Sequence, residues 1–206
     1  MSKPNLIIVA GCNGSGKSTF SKSYNPAIEP FDYDKRFLET YRLLPDSEFR
    51  ETIARNRTTE EFEKAIQEAF SKKIDFCYET NFHQYPIDYA RKALQLGYKL
   101  TLHFYCLDNI DIAIERVAVR TANRGHFVRN DVINYKWKEG YKNLNLYFKF
   151  FDYILLIDNS VHLSIPNNLF GLIKNDKGGF DVEMYSDEIP SYSKRRFPEI
   201  LNIIID

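Results

Sequence analysis

The chain has 206 residues, enough for one α/β domain with a sizeable core, or one domain with a short appendage. Hydrophobic residues at 44% and charged residues at 27% exclude long disorder, and the balance of 28 basic against 28 acidic side chains argues against general nucleic-acid binding, which needs a net basic surface. No apolar run approaches the ~20 residues of a membrane span, no signal-peptide pattern opens the chain, and Cys12, Cys77 and Cys106 lie far apart with no C-x-x-C, which fits a reducing cytoplasm.

In chain order, Leu6-Ile7-Ile8-Val9-Ala10 reads as a buried strand. Gly11-Cys12-Asn13-Gly14-Ser15-Gly16-Lys17-Ser18 follows and matches G-x-x-x-x-G-K-[ST] at every fixed position, with Thr19 next in the helix it opens. Its glycines let the backbone turn tightly, so that successive N–H groups and a helix N-terminus cradle phosphates. Lys17 would reach the β- and γ-phosphates, and the Ser18 hydroxyl would sit on Mg²⁺. That helix should run from about 17 to 24 and end at Asn25-Pro26.

Residues 27–31 read as a short extended stretch, a second strand, with Asp32-Tyr33-Asp34 at its end. Phe37, Leu38, Tyr41 and Leu44 fit a short helix stopped before Pro45. Thr58 with Glu61 is a capping-box pattern opening a helix whose inner face is Phe62, Ala65, Ile66, Ala69 and Phe70. Residues 74–78 form a strand that delivers Glu79-Thr80-Asn81. Pro86 and Gly97 bracket a helix with Ile87, Ala90 and Leu94 inward. A strand over 98–107 and helical spacing from Ile110 to Ala118 come next. The longest helix, 131–148, has Ile133, Trp137, Tyr141, Leu144 and Phe148 along one side, and a last core strand covers 152–157. Alternating strands and helices imply a parallel sheet with helices on both faces. The tail reads as a β-hairpin, 169–173 with 180–185, followed by the basic Lys194-Arg195-Arg196.

In open α/β sheets ligands sit beyond the carboxyl ends of the strands, and three groups fall there. Asp32 and Asp34 read either as turn-forming or capping aspartates or, for Asp34, as the carboxylate that takes a proton from an acceptor hydroxyl. Glu79, with Thr80 and Asn81, reads as an acceptor binder, as a holder of Mg²⁺ through water, or as a cap of the next helix. Arg116 and Arg120 share a helix face, with Arg124 and Arg129 beyond; this is a solvated edge or a lid that clamps the transferring phosphoryl. His83, His103, His126 and His162 lack metal-ligand spacing.

From residue 5 to 160 the order of motifs resembles the zeta toxin-like small P-loop kinases. It comprises the phosphate loop, Asp32-Tyr33-Asp34, Phe76-Cys77-Tyr78-Glu79-Thr80, Gly97-Tyr98-Lys99-Leu100 and Glu115-Arg116-Val117-Ala118-Val119-Arg120. Gly125-His126-Phe127-Val128, Tyr141-Lys142-Asn143-Leu144 and Asp158-Asn159-Ser160 complete it. The resemblance implies ATP- or GTP-dependent phosphorylation of a hydroxyl, as zeta toxins do to UDP-N-acetylglucosamine. It puts Asp34 at the catalytic base, Glu79 at the acceptor-binding strand end, and Arg116 and Arg120 in the phosphate-contacting lid helix. It also raises an antitoxin protein as a partner. The chain departs from the family at Arg124 to Arg129 and at Tyr135-Lys136-Trp137, where relatives often carry an arginine pair before an aromatic.

The predicted fold is therefore α/β, a P-loop kinase-like three-layer sandwich with a mostly parallel sheet, helices on both faces and a C-terminal β-hairpin tail. Residues 1–160 are read as the kinase core with a helical lid at about 108–148, and 161–206 as a hairpin appendage packed on it. The expected activity is Mg²⁺- and ATP-dependent (or GTP-dependent) transfer to a small-molecule hydroxyl, with no membrane and no nucleic-acid partner. The alternatives are a nucleotide-dependent switch that acts through a partner, with Lys194-Arg195-Arg196 as docking surface, and a nucleic-acid 5′-end kinase.

Overall fold

Five consecutive buried side chains, Leu6 to Ala10, make β1 (Asn5–Ala10) a strand covered on both faces. The computed structural model describes residues 3–24, 27–122, 127–162 and 164–205. After β1 come α1 (Lys17–Tyr24), α2 (Tyr33–Leu43), α3 (Arg50–Lys72), β2 (Phe76–Thr80), α4 (Asp88–Gln95) and β3 (Lys99–Cys106). Then follow α5 (Ile110–Ala122), α6 (Asn130–Tyr147), a 3-10 turn, β4 (Tyr153–Asp158), β5 (Asn167–Lys174), β6 (Phe180–Met184), α7 (Ser193–Arg196) and α8 (Pro198–Ile205). The predicted helix end at Asn25-Pro26 and the Arg124-Gly125-His126 segment lie outside the described residues.

The strands form one sheet in the order β2-β1-β3-β4-β5-β6. The first three pairings are parallel and the last two antiparallel, which gives the expected α/β sandwich with a mostly parallel sheet. Its two faces are covered unequally. Leu6, Ile8, Leu100, Leu102, Phe104, Ile154 and Leu156 face the larger core, with Phe62, Ile66, Ile133, Leu144 and Phe197 from the helices. Ile7, Val9, Tyr105, Leu155 and Ile157 face the smaller one, against Phe20 of α1. All five residues predicted on the inner side of the helix at 131–148 are buried, but α6 with 18 residues is not the longest helix, because α3 runs for 23.

Several boundaries differ from expectation for identifiable reasons. The second strand is reduced to one bridge, Phe31 to Tyr78, made by Phe31 N–H to Cys77 O (2.9 Å) and Glu79 N–H to Phe31 O (3.0 Å). Thr58 is not a cap: α3 begins at Arg50, and the buried Thr58 hydroxyl donates back to Ala54 O at 2.8 Å inside the helix. Ile74 is exposed and β2 starts at Phe76, so Glu79 and Thr80 lie within the strand. Leu94 points outward at 48% exposure, and Ala93 takes its inward place. The tail hairpin is continuous with the sheet, because β5 pairs antiparallel with β4 and buries Leu169, Phe170 and Leu172 completely.

On the thinly covered face, His103 is 8% exposed, edge-on to Tyr153 with ring centroids 6.4 Å apart. Burial holds its imidazole neutral and moves its pKa from 6.5 down to about 4. The unfolded chain therefore takes up a proton near pH 6.5 that the folded one refuses. Stability is full above that pH and is lost as the pH falls toward 4, by about 3 kcal/mol for a shift of this size. Thermal unfolding from pH 7 to 4 should show this loss, and His103→Gln should flatten part of it.

Candidate active site

The carboxyl ends of β1 and β2 open on one cavity of about 1310 Å³, which α2, α3, α5 and α6 help to wall. The loop after β1 makes one end of it. Gly11, Gly14 and Gly16 all have positive φ, at 138°, 80° and 93°. The last two admit no side chain: a Cβ on Gly14 would lie 2.5 Å from Ala113 O, and one on Gly16 2.1 Å from Asn159 Nδ2. Asn159 Nδ2 in turn donates to Ser15 O at 2.8 Å, so the end of β4 braces the loop from behind. Lys17 is folded back across the loop, donating to Gly11 O (2.6 Å) and Cys12 O (3.0 Å). Burial pushes the Cys12 thiol up to about 11, which keeps it protonated and unreactive.

Two carboxylates face this loop from different sides. Glu79, at the end of β2, accepts from Ser18 Oγ at 2.5 Å and from Ser21 Oγ at 3.1 Å. Burial pushes its pKa up against the opposing pull of Lys17 and the Ser18 hydroxyl. Asp34, in the first turn of α2, accepts from Asn13 Nδ2 at 3.3 Å. Both aspartates line the cavity, but Asp32 is also the N-cap of α2, its Oδ1 accepting from Lys35 N at 3.0 Å.

Arg116 reaches the loop from α5, donating to Gly14 O at 3.5 Å and to Val161 O at 3.1 Å. Arg120, one turn on, lines the same cavity from a more exposed position. Thr80 Oγ1 accepts from Phe82 N at 3.1 Å, and Asn81 lines the wall with its Oδ1 buried and without a partner among the described residues. Of the site residues predicted from sequence, the cavity wall gathers all except Gly11, Cys12 and Ser15, which lie behind the loop.

Sequence reasoning missed the opposite wall. The α2–α3 pair supplies Phe37, Arg55, Thr59 and Phe62, and α6 supplies Lys136. His83 completes it, half-buried beside these groups with its pKa lowered to about 4, first by desolvation and then by Lys136. Burial also lowers the Lys136 pKa, against the attraction of Asp34. Asn143 holds the strand-end segment in place, donating to Phe82 O and His83 O at 2.9 Å each. Phe82 and Tyr85 have positive φ, 57° and 46°, a backbone cost that this clamp offsets. The departure at Lys136 was the one visible signal: a basic residue at a position already marked in the sequence. Arg55 and His83 carried none.

No protein-family model matches the chain, and no curated protein matches it significantly. Solved structures do. The structure of the AvrRxo1-ORF1:AvrRxo1-ORF2 complex aligns with a TM-score of 0.64 at 12% identity, over 92% of this chain and 66% of that one. The PezAT chromosomal toxin–antitoxin system of Streptococcus pneumoniae aligns at 0.59 and 15% identity, over 81% and 72%. A chain of the Pnkp1/Rnl/Hen1 RNA repair complex aligns at 0.54 and 18% identity, over 69% of this chain but only 46% of its own length. The chain shares its fold with these structures.

Proposed function

We propose that this protein is a Mg²⁺- and nucleoside triphosphate-dependent kinase that phosphorylates a hydroxyl of a small molecule. The observation that carries this reading is the placement of Asp34 in the same cavity as Lys17, tied to the phosphate loop through Asn13. The cavity of about 1310 Å³ beside Asp34 also leaves room for an acceptor larger than water. On this reading Lys17 leaves its two carbonyls for the β- and γ-phosphates, while Arg116 and Arg120 offset charge on the transferring phosphoryl. Asp34 orients the acceptor hydroxyl and takes its proton as the oxygen attacks the γ-phosphorus. Thr80 and Asn81 line the acceptor side.

A hydroxyl and a carboxylate in contact at a helix N-terminus, Ser18 and Glu79, are the hard oxygen donors that suit Mg²⁺. Bound there, the ion would neutralise phosphate charge. This geometry favours Glu79 on the metal side over the acceptor side. ATP is the expected donor, with GTP the alternative. A nucleotide-activated amino sugar is the acceptor suggested by the resemblance to zeta toxins. That two similar structures are complexes, one of them a toxin–antitoxin system, supports a regulatory protein partner.

The test is incubation with ATP, Mg²⁺ and a metabolite pool containing UDP-N-acetylglucosamine, followed by mass spectrometry. One species should gain a phosphate with wild-type protein and none with Asp34→Asn. ADP formation without any phosphorylated product would reject the kinase reading. In the same assay Asn13→Ala should lower kcat about tenfold, the loss of a weak hydrogen bond to a charged group, with the KM for nucleotide little changed. A large rise in that KM instead would make Asn13 a nucleotide ligand only.

A further inference from the structure

A second hollow, a groove of about 690 Å³, runs between α6 and the α7–α8 junction, on the other side of α6 from the catalytic cavity. Its floor is aromatic, made by the buried Trp137, Tyr141 and Phe148. Along one wall Lys138 and Lys142 share a face of α6 and Lys149 follows in the 3-10 turn beyond it, so the three cations spread over ~17 Å. Arg195 and Arg196 face them from α7, and Glu199 is the acidic residue on the wall. Among the described residues no carboxylate lies within ion-pair distance of Lys138, Lys149 or Arg196.

The groove is built, not incidental. Asn145 pins its two walls together, donating to Arg196 O at 2.8 Å and accepting from Glu199 N at 3.2 Å. The Arg196 guanidinium lies 3.9 Å over the Trp137 ring. Arg196 Nε and Trp137 Nε1 are buried with no acceptor among the described residues. Both atoms lie beneath the surface, so what the groove offers an incoming ligand is its cationic rim.

We propose that this groove docks an acidic, extended segment of a partner protein. Charges spread over ~17 Å match about five residues of extended chain at ~3.3 Å each, whereas a single phosphate would engage one end. Single-stranded nucleic acid fits poorly, because bases need open aromatic faces to stack on, and these rings are buried, with Trp137 already covered by Arg196. Leu146, 60% exposed on the rim, offers a contact for an apolar side chain in the segment. The inference stands apart from the kinase reading, since none of these residues lines the catalytic cavity.

Trp137 is the only tryptophan in the chain, so its fluorescence reads the groove directly. The full chain is titrated with a synthetic ten-residue peptide of Glu and Asp with one central Leu, and in parallel with a ten-nucleotide oligothymidylate. Saturable change with the peptide is expected, weakened at least about tenfold by 0.5 M salt and by Lys138→Glu with Arg195→Glu, two exposed positions. An unchanged melting temperature shows that the double variant folds; should it not, Lys142→Ser alone gives the same comparison. The proposal fails if the peptide leaves Trp137 unperturbed, if binding survives charge reversal, or if the oligonucleotide binds more tightly.

Discussion

Asp34→Asn should lower kcat by about 10²- to 10⁴-fold, the usual range for loss of a general base, while leaving nucleotide affinity within about threefold. The asymmetry follows from geometry. Asp34 touches the phosphate loop only through Asn13 Nδ2, at 3.3 Å. An asparagine carbonyl still accepts that bond, so the loop keeps its shape and its grip on phosphates. What disappears is the oxygen that takes the acceptor's proton. Steady-state kinetics and a nucleotide titration followed by thermal shift separate the two effects, and turnover at the wild-type rate would remove Asp34 from the mechanism.

Lys17→Ala should be at least as damaging and should damage both steps. The ammonium now rests on Gly11 O and Cys12 O, two carbonyls of the loop itself. Its transfer to the phosphates is expected to supply transition-state charge stabilisation of about 3–4 kcal/mol, a factor of about 10²–10³ in kcat. Nucleotide affinity should fall at least about tenfold because charge-assisted hydrogen bonds to the ground-state phosphates are lost as well. The two variants thus predict different patterns, kcat alone for Asp34 and both parameters for Lys17. A Lys17→Ala protein that bound and turned over like wild type would overturn the reading of the loop.

The phosphate loop was legible in the sequence because each of its positions answers a separate local demand. Gly14 and Gly16 take positive φ and leave no room for a Cβ, and Lys17 opens α1 directly after them. The inner face of α6 was legible for a different reason, the 3.6-residue period of residues that are all buried. Thr58 misled because capping and mid-helix back-bonding use the same hydroxyl, and only burial against the rest of α3 decides between them. Arg55, His83 and Lys136 were hidden by their separation in sequence. They come from three elements that meet only when α2–α3 and α6 close over the strand ends, a juxtaposition that no local pattern encodes. The pair Asp32 and Asp34 fell between these cases: the capping reading applies to Asp32, and the base reading of Asp34 is part of the proposed function.

The antiparallel seam between β4 and β5 bears on how the protein is made. β4 has β3 on one side and takes its second partner from residues 167–174, which leave the ribosome after it. Until they arrive, its outer edge offers Ile154 to Ile157 with their backbone groups unpaired, a template for wrong partners. Asn159, which braces the phosphate loop, follows directly from that strand. A nascent chain stalled short of β5 would therefore hold the loop residues but lack a secured frame behind them. Competence to bind nucleotide should arise late in synthesis, and chaperones that guard strand edges should engage this protein in that interval.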